Sequence, residues 1–132
     1  MDHQALALEM RGLREQVTGI TDTAVAAADG LLIAADTADS IDPEGLAALA
    51  AAGLGLARRT AEATARGTLR GTVTYGSHGC AAFYAVGETA LMVVLGDEGM
   101  DVDHLHRATQ PTLNRIGSIL TDKAPGKAPE GV

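Results

Sequence analysis

The amino-acid sequence predicts an α+β fold in which three helices and five short antiparallel strands form one domain. Three observations predict it. An Asp29-Gly30 pair separates two apolar runs, which is a strong signal for a β-hairpin. Residues 68–75 alternate between polar and nonpolar types, the period of a half-exposed strand. Apolar side chains near both ends of the chain recur at helical spacing.

The composition indicates a folded chain with a light core. Hydrophobic residues make up 46% of the 132 residues and charged residues 20%, which argues against a disordered chain. Aromatic residues are only 2%, so small aliphatic side chains have to fill the core, and helices and strands can approach closely. The length fits a single domain, which we place at residues 1–122.

Charge and hydropathy disfavour several classes of function. The formal net charge of -7 disfavours nonspecific binding to nucleic acid or to anionic membranes. The longest uncharged apolar run, residues 45–57, would span only about 20 Å as a helix, less than the ~30 Å hydrocarbon core of a bilayer. The N-terminus lacks a secretory signal, and the single cysteine, Cys80, excludes an internal disulfide. We therefore expect a protein of the reducing cytoplasm without a membrane-inserted segment.

The first elements are predicted to be a helix over residues 3–17 and a tight hairpin. The prediction of the helix depends on an apolar stripe at helical spacing, formed by Leu6, Met10, Leu13 and Val17. The hairpin joins residues 23–28 to residues 31–35 through a type I′ turn, in which Asp29 and Gly30 both need positive φ. Both runs are nearly continuously apolar, so we expect both faces of their sheet to be covered.

A second helix is predicted to begin at Asp42-Pro43-Glu44 and to run to about residue 65. Asp42 is expected to cap the free amides, Pro43 fits the first turn, and Glu44 favours the positive end of the helix dipole. The body of the helix is rich in alanine and holds two glycines, so nearly every side is apolar or small. Two interpretations stay open. The small residues pack against a sheet, or they also let the helix approach a second copy of itself.

A three-stranded meander follows. Its strands are predicted at residues 69–75, 80–86 and 90–95. If Tyr75 faces Cys80 across the first turn, Gly71 lies opposite Tyr84, whose ring can cover the missing side chain. The first strand carries threonines on one face, which is typical of a sheet edge that can pair with another chain.

The last helix is predicted over residues 101–121. Pro111 lies inside it and removes one backbone hydrogen bond at a cost of about 3 kcal/mol, so we expect a kink or an interruption near residues 106–110. Residues 123–132 contain two prolines and two glycines without periodicity, which predicts a disordered tail.

The sequence offers little for catalysis or metal binding. His104 and His106 point to nearly opposite sides of a helix and cannot chelate one ion together. His78 beside Cys80 lacks an orienting third residue and an oxyanion-hole motif, so a structural thiol is the better interpretation of Cys80. No Gly-Lys-Ser/Thr loop is present. We expect no enzyme activity, no cofactor and no metal.

A local positive patch contrasts with the acidic average. In the middle of the chain, four cations accompany a single acidic residue, Glu62; they are Arg58, Arg59, Arg66 and Arg70. The patch is either a solvated helix end, where cations suit the negative end of the dipole, or a docking surface for an acidic partner protein.

The order of these elements resembles the roadblock family, which is related to dynein light chains and to bacterial regulators of small Ras-like GTPases. The resemblance covers about residues 4–120. It rests on the stretch VTGITDTAVAAADGLLIAA at residues 17–35, on the Ala/Gly-rich second helix and on the strand GTVTY at residues 71–75. Pro111 and the sequence Met100-Asp101-Val102 depart from the family pattern.

The resemblance implies a layered α/β/α domain with a five-stranded antiparallel sheet of order 2-1-5-4-3. Helix two is expected on one face of the sheet and helices one and three on the other. Roadblock proteins typically form homodimers through helix two and strand three, which fits the small-residue helix and the threonine-bearing edge. The residues expected at this interface are Leu49, Gly53, Leu56, Thr60, Arg70, Thr72 and Thr74.

The function that the resemblance implies is a noncatalytic adaptor in bacterial signalling. Such an adaptor binds a small Ras-like GTPase and regulates it, or positions it beside a partner such as a sensor-kinase-like protein. The candidates for contacting an acidic GTPase surface are Arg58, Arg59 and Arg66. Two alternatives stay open: a small-ligand sensor with a pocket lined by His78, Tyr75 or Tyr84, and a purely structural dimer that scaffolds a larger complex.

Overall fold

The structure is a computed structural model that describes residues 1–121. The elements in chain order are α1 His3–Gln16, β1 Ile20–Ala27, β2 Leu32–Asp36, α2 Pro43–Ala63, β3 Gly71–Gly76, β4 Gly79–Val86, β5 Ala90–Gly96 and α3 Val102–Thr121. The strands form one antiparallel sheet of order β2-β1-β5-β4-β3, which confirms the predicted fold class and topology. The tail predicted over residues 123–132 lies outside the described residues.

The sheet separates two apolar cores because neighbouring residues of a strand point to opposite faces. On one face, Val25 of β1 and Met92 of β5 pack with buried residues of α1 and α3. On the other face, Ala24 and Val93 of the same strands pack with buried residues of α2. The nearly continuous apolar runs of β1 and β5 follow from this burial on both sides. The predicted cover on both faces of the hairpin is confirmed for β1 but is wrong for the end of the edge strand β2, where Ala35 and Asp36 are exposed.

The hairpin between β1 and β2 is confirmed, but the predicted type I′ turn is wrong. Gly30 has a φ of 95°, whereas Ala65 is the only non-glycine residue with positive φ among those described. The Gly30 N–H donates to the Ala27 carbonyl and the Ala27 N–H to the Leu31 carbonyl, both at 2.9 Å. This is a three-residue loop, in which a type I turn is followed by one left-handed glycine. Such a loop joins the twisted strands with only one positive φ.

A buried aspartate positions the segment that leads into α2. The side chain of Asp22 is 5% exposed and lies where the β1–β5 pairing shifts register. Its Oδ1 accepts a hydrogen bond from the Ala38 N–H at 2.7 Å, and its Oδ2 accepts one from the Thr21 hydroxyl at 2.7 Å. These bonds offset the cost of burying the polar carboxyl group and tie the β2–α2 connection to the sheet.

The start of α2 differs from its prediction in one contact. Pro43 occupies the first helical position as expected, but the Asp42 side chain makes no capping hydrogen bond. The carboxylate instead lies over Gly45, where an added Cβ would come within 2.6 Å of Asp42 Oδ2. The predicted capping role of Asp42 is therefore wrong, and the carboxylate stays available to a partner.

The end of α2 is a tight turn built on an alanine. The helix ends at Ala63, and Ala65 follows with a φ of 54°, in the left-handed region. The Arg66 N–H donates to the Ala61 carbonyl at 2.8 Å, and the Ala65 N–H donates to the Glu62 carbonyl at 3.2 Å. These are the two bonds of a Schellman motif, which usually places glycine at the left-handed position. The turn folds Arg66 back beside the last turn of α2.

Replacing this alanine with glycine is expected to stabilise the protein. An alanine in the left-handed region costs about 1–2 kcal/mol, and the greater freedom of glycine in the unfolded chain offsets part of the gain. Ala65→Gly should therefore raise the free energy of unfolding by about 0.5–1 kcal/mol in denaturant titrations. The matched control, Ala63→Gly, makes the same change at a helical position and should lower stability. Equal effects of the two variants would contradict the strain at Ala65.

Of the kink or interruption predicted near residues 106–110, the interruption is wrong, because α3 runs unbroken through Pro111, and the kink stays a prediction. A proline leaves the carbonyl four residues earlier without its helical donor. Both Pro111 and Arg107 are exposed, so water can bond that carbonyl. The opposite side of α3 is buried, with Leu105 and Ile116 fully enclosed. Packing of this side against the sheet and α1 offsets the cost of the proline.

Candidate functional site

The exposed side of α2 carries an apolar stripe. Leu49 and Leu56 are 67% and 65% exposed and lie two helical turns apart. Ala47, Ala50 and Leu54 are buried, so the side of the helix that faces the sheet is a different one. Two large apolar side chains held on one line of an ordered helix are typical of a surface that another protein covers.

The edge of the sheet lies beside this stripe. Within residues 1–121, β3 pairs with β4 alone, so one side of its backbone is open there to a further strand. Gly71 lies opposite Tyr84 and Tyr75 lies opposite Cys80, which confirms the predicted register. A Cβ at Gly71 would come within 2.7 Å of the Phe83 carbonyl oxygen and 3.1 Å of Tyr84 Cδ1, so glycine is required there.

The threonines of β3 point toward α2. Thr72 lies opposite Phe83, which packs in the α2 core, and Thr74 has the same parity along the strand. A groove of about 480 Å³ separates the helix from the edge strand. Its lining residues are Gly53, Leu56, Ala57, Thr60, Ala61, Thr64, Arg66, Leu69 and Thr72.

A second groove lies at the other end of the same helix. It has a volume of about 620 Å³ and a mostly apolar wall. Its lining residues are Ser40, Ile41, Asp42, Gly45, Leu46, Ala48 and Leu49. The stripe on α2 therefore leads from one groove at the start of the helix to another at its end.

The structure brings most of the predicted interface residues to this surface. Leu49, Leu56 and Thr60 are exposed on α2, and Arg70 and Thr74 are exposed at the edge strand. Gly53 lines the groove beside β3 and also lies close to the sheet, since a Cβ there would lie 3.1 Å from the Phe83 ring. A large side chain at position 53 would press on Phe83, so this glycine also lets α2 pack close to the sheet.

The arginines of the local positive patch are exposed and unpaired within the described part of the chain. This holds for Arg58, Arg59, Arg66 and Arg70. Arg58 lines a cavity of about 450 Å³ together with Glu62 and Glu88, whereas Arg66 lines the groove beside β3. The end of α2 is thus a cationic surface on an acidic protein.

Cys80 and His78 are the pair that the sequence raised as a possible nucleophile and its neighbouring base. Burial, and then the neighbouring charge of Asp97, raises the pKa of the Cys80 thiol, which lowers its thiolate fraction. His78 is exposed, with Nδ1 lying 3.3 Å from Glu98 Oε2. Within the described residues, no three His, Cys, Asp or Glu side chains are arranged to hold a metal ion. No helix there is long and apolar enough to cross a membrane.

A Tyr84–His106 contact is the polar pair that sequence reasoning missed. The Tyr84 hydroxyl lies 2.6 Å from His106 Nδ1, and the two rings meet edge to face with centroids 5.7 Å apart. Tyr84 is 3% exposed, and burial raises its pKa to about 12. Tyr75 is 72% exposed and His78 lies in the open turn after β3, so the structure does not gather the three residues of the expected ligand pocket. No spacing signal links positions 84 and 106, since they lie on separate elements.

The sequence and the fold of this chain are similar to those of known proteins. The family model for the Roadblock/LC7 domain matches residues 6–96. Two uncharacterized proteins of Methanocaldococcus jannaschii are 40% identical over 102 residues, which is 77% of this chain and 89% of each relative. A Roadblock/LC7 domain from Streptomyces avermitilis has a TM-score of 0.80 at 21% identity, covering 87% of this chain and 97% of that one. Myxococcus xanthus MglB has a TM-score of 0.81 at 15% identity, covering 91% and 98%. An MglB has also been solved in a tetrameric arrangement, with a TM-score of 0.78 at 15% identity, covering 89% and 88%.

Proposed function

The chain belongs to the Roadblock/LC7 domain family, and we propose that it is a noncatalytic, homodimeric, cytoplasmic adaptor for a small Ras-like GTPase. The family includes regulators of such GTPases, which supports this class of partner. The observation that carries the proposal is the apolar stripe on α2 beside the open edge of β3. An exposed apolar stripe beside an unpaired strand edge is typical of a surface that another protein covers.

Self-association through this surface would cover both of its exposed parts. A second copy related by a two-fold axis presents the same patch, so each contact occurs twice. Antiparallel pairing of the two α2 helices would set Leu49 against the partner's Leu56. The same operation can align β3 with the partner's β3, with Arg70, Thr72 and Thr74 along the join. The tetrameric arrangement known for an MglB supports self-association in proteins of this fold.

The cationic end of α2 is the proposed contact for the GTPase. Arg58 and Arg59 are exposed and unpaired among the described residues, so they can meet an acidic surface without breaking an existing ion pair. Charges of this kind affect the rate and the specificity of association more than the final affinity. Arg66, the third arginine predicted to contact the GTPase, lies in the groove beside β3.

The proposal is tested by pull-down from native lysate with tagged protein, run separately with GDP and with a nonhydrolysable GTP analogue. We expect recovery of a small GTPase in one nucleotide state, because a regulator must discriminate between the two states. Charge reversal by Arg58→Glu with Arg59→Glu should reduce recovery, whereas Arg11→Glu with Arg107→Glu on the opposite helices should not. Equal recovery in both states would indicate a scaffold, and absence of any GTPase would contradict the proposal.

A further inference from the structure

The two ends of the α2 stripe have opposite charge. Asp39, Asp42 and Glu44 lie around the first turn, whereas Arg58, Arg59 and Arg66 lie around the last. An antiparallel second copy would therefore place the acidic end of one helix beside the basic end of the other. Among these residues, one at each end lines a groove of the stripe: Asp42 at the start and Arg66 at the end.

The Asp42 carboxylate is held in the groove without a partner. It makes no capping hydrogen bond to α2, and it forms no ion pair within residues 1–121. It is accommodated by Gly45, since a Cβ at that position would come within 2.6 Å of Asp42 Oδ2. An aspartate before a helix usually accepts a hydrogen bond from the free amides of the first turn, and the Asp42 carboxylate lacks this bond.

The Arg66 guanidinium is the matching group at the other end. The Arg66 N–H bonds to the Ala61 carbonyl at 2.8 Å, so the residue lies level with the last turn of α2 and not beyond it. Its side chain lines the groove together with Leu56 and Thr60, and it also lacks an ion pair among the described groups. An arginine beside an apolar groove can pack its aliphatic stem there and extend its charge to a neighbour.

The spacing of the stripe sets the register between the two groups. With Leu49 opposite the partner's Leu56, the two-fold axis passes near Ala52, and the last turn of α2 lies opposite the first turn of the partner's α2. Arg66 then lies within about one helical turn, ~5 Å along the axis, of the partner's Asp42. We propose that Arg66 and the partner's Asp42 form an ion pair at each end of the α2 seam, two pairs per dimer. This inference rests on the proposed homodimer.

Charge reversal tests the ion pair, because symmetry makes each substitution act twice. Asp42→Arg places two arginines together at both ends of the seam, and Arg66→Asp places two aspartates together. For each variant alone, the dissociation constant of the dimer in sedimentation equilibrium should be larger than that of the unmodified chain by about tenfold or more. An equimolar mixture of the two variants should form heterodimers with an affinity within about threefold of the unmodified chain, since both opposite-charge pairs are restored. The deficit of each variant should shrink at high salt.

Matched controls separate the ion pair from general charge effects. Asp103→Arg and Arg107→Asp make the same changes on α3, across the sheet from α2, and should leave dimerisation unchanged. Thermal unfolding monitors folding of each variant, and Asp42→Asn with Arg66→Gln provides a milder pair for a double-mutant cycle. Preserved dimerisation of both reversals, or a mixture no tighter than its components, overturns the ion pair while leaving the homodimer standing. A monomeric unmodified chain overturns both.

Discussion

A chain carrying Leu49→Glu together with Leu56→Glu is expected to be a folded monomer. Both leucines are about two-thirds exposed in the single chain, so the substitutions leave its two apolar cores intact. In the proposed dimer the two leucines of each copy are buried, and the glutamates would place four unpaired charges there. If burial of each of the four leucines contributes about 1 kcal/mol, the dimer loses about 4 kcal/mol of binding free energy, and its dissociation constant rises roughly thousandfold. Sedimentation equilibrium or mass photometry measures the change.

A control for this loss lies on the opposite side of the sheet. Leu8 of α1 is 57% exposed, and Leu8→Glu makes the same chemical change at a comparable exposure. It should leave the dissociation constant unchanged. Thermal unfolding of both variants at equal concentration distinguishes lost association from lost folding. A dimer that survives the α2 substitutions and dissociates on Leu8→Glu would move the interface to the α1 side.

Stability should fall steeply between pH 10 and 12 because of Tyr84. Burial raises its pKa in the folded state to about 12, from an ordinary value of 10.0. Below pH 10 both states keep the phenol proton, so this residue adds no pH dependence. Between the two values the unfolded state releases the proton and the folded state retains it, which favours unfolding. A shift of this size corresponds to a loss on the order of 2 kcal/mol by pH 12.

A tyrosine-to-phenylalanine comparison isolates this contribution from other alkaline titrations. Tyr84→Phe should weaken the protein at pH 8 by about 1 kcal/mol, because the hydroxyl loses its contact with His106. It should also remove the part of the pH slope between pH 10 and 12 that belongs to Tyr84. Tyr75→Phe is the matched control, since Tyr75 is 72% exposed, and it should keep the full slope. Equal slopes for all three proteins in denaturant titrations would contradict the buried phenol.

The fold was predictable from the sequence because its elements carry strong local signals. The apolar stripe of α1, the Asp29-Gly30 turn and the alternation of β3 each depend on spacings within a few residues. The cross-strand pairing of Gly71 with Tyr84 also followed, since one facing pair sets the register of a short hairpin. The errors arose where a local rule met several acceptable solutions. Gly30 alone supplies the left-handed residue of the hairpin. Pro111 is tolerated inside α3 because the Arg107 carbonyl, which loses its helical donor, faces water.

The candidate site was predictable only in part, because the residues that form it depend on which side of each helix and strand is covered by the rest of the fold. An alanine-rich helix has no clear polar side, so the sequence could not separate Leu54, which is buried, from Leu56, which is exposed. Gly53, predicted at the interface, lines the groove beside β3, and only the structure shows that it also packs against Phe83 of β4. The Tyr84–His106 contact joins residues from two elements whose packing no short-range spacing reports.

The sequence by itself determined the order and type of the elements, the light core, the acidic charge and the edge character of β3. These features depend on composition and on short-range periodicity, and both are properties of the order of the residues alone. Only the tertiary structure decided that Asp42 leaves its helix uncapped, that Arg66 folds back into the groove, and that Leu49 and Leu56 share one open line. Those outcomes depend on long-range packing, which sets the solvent exposure and the neighbours of each side chain.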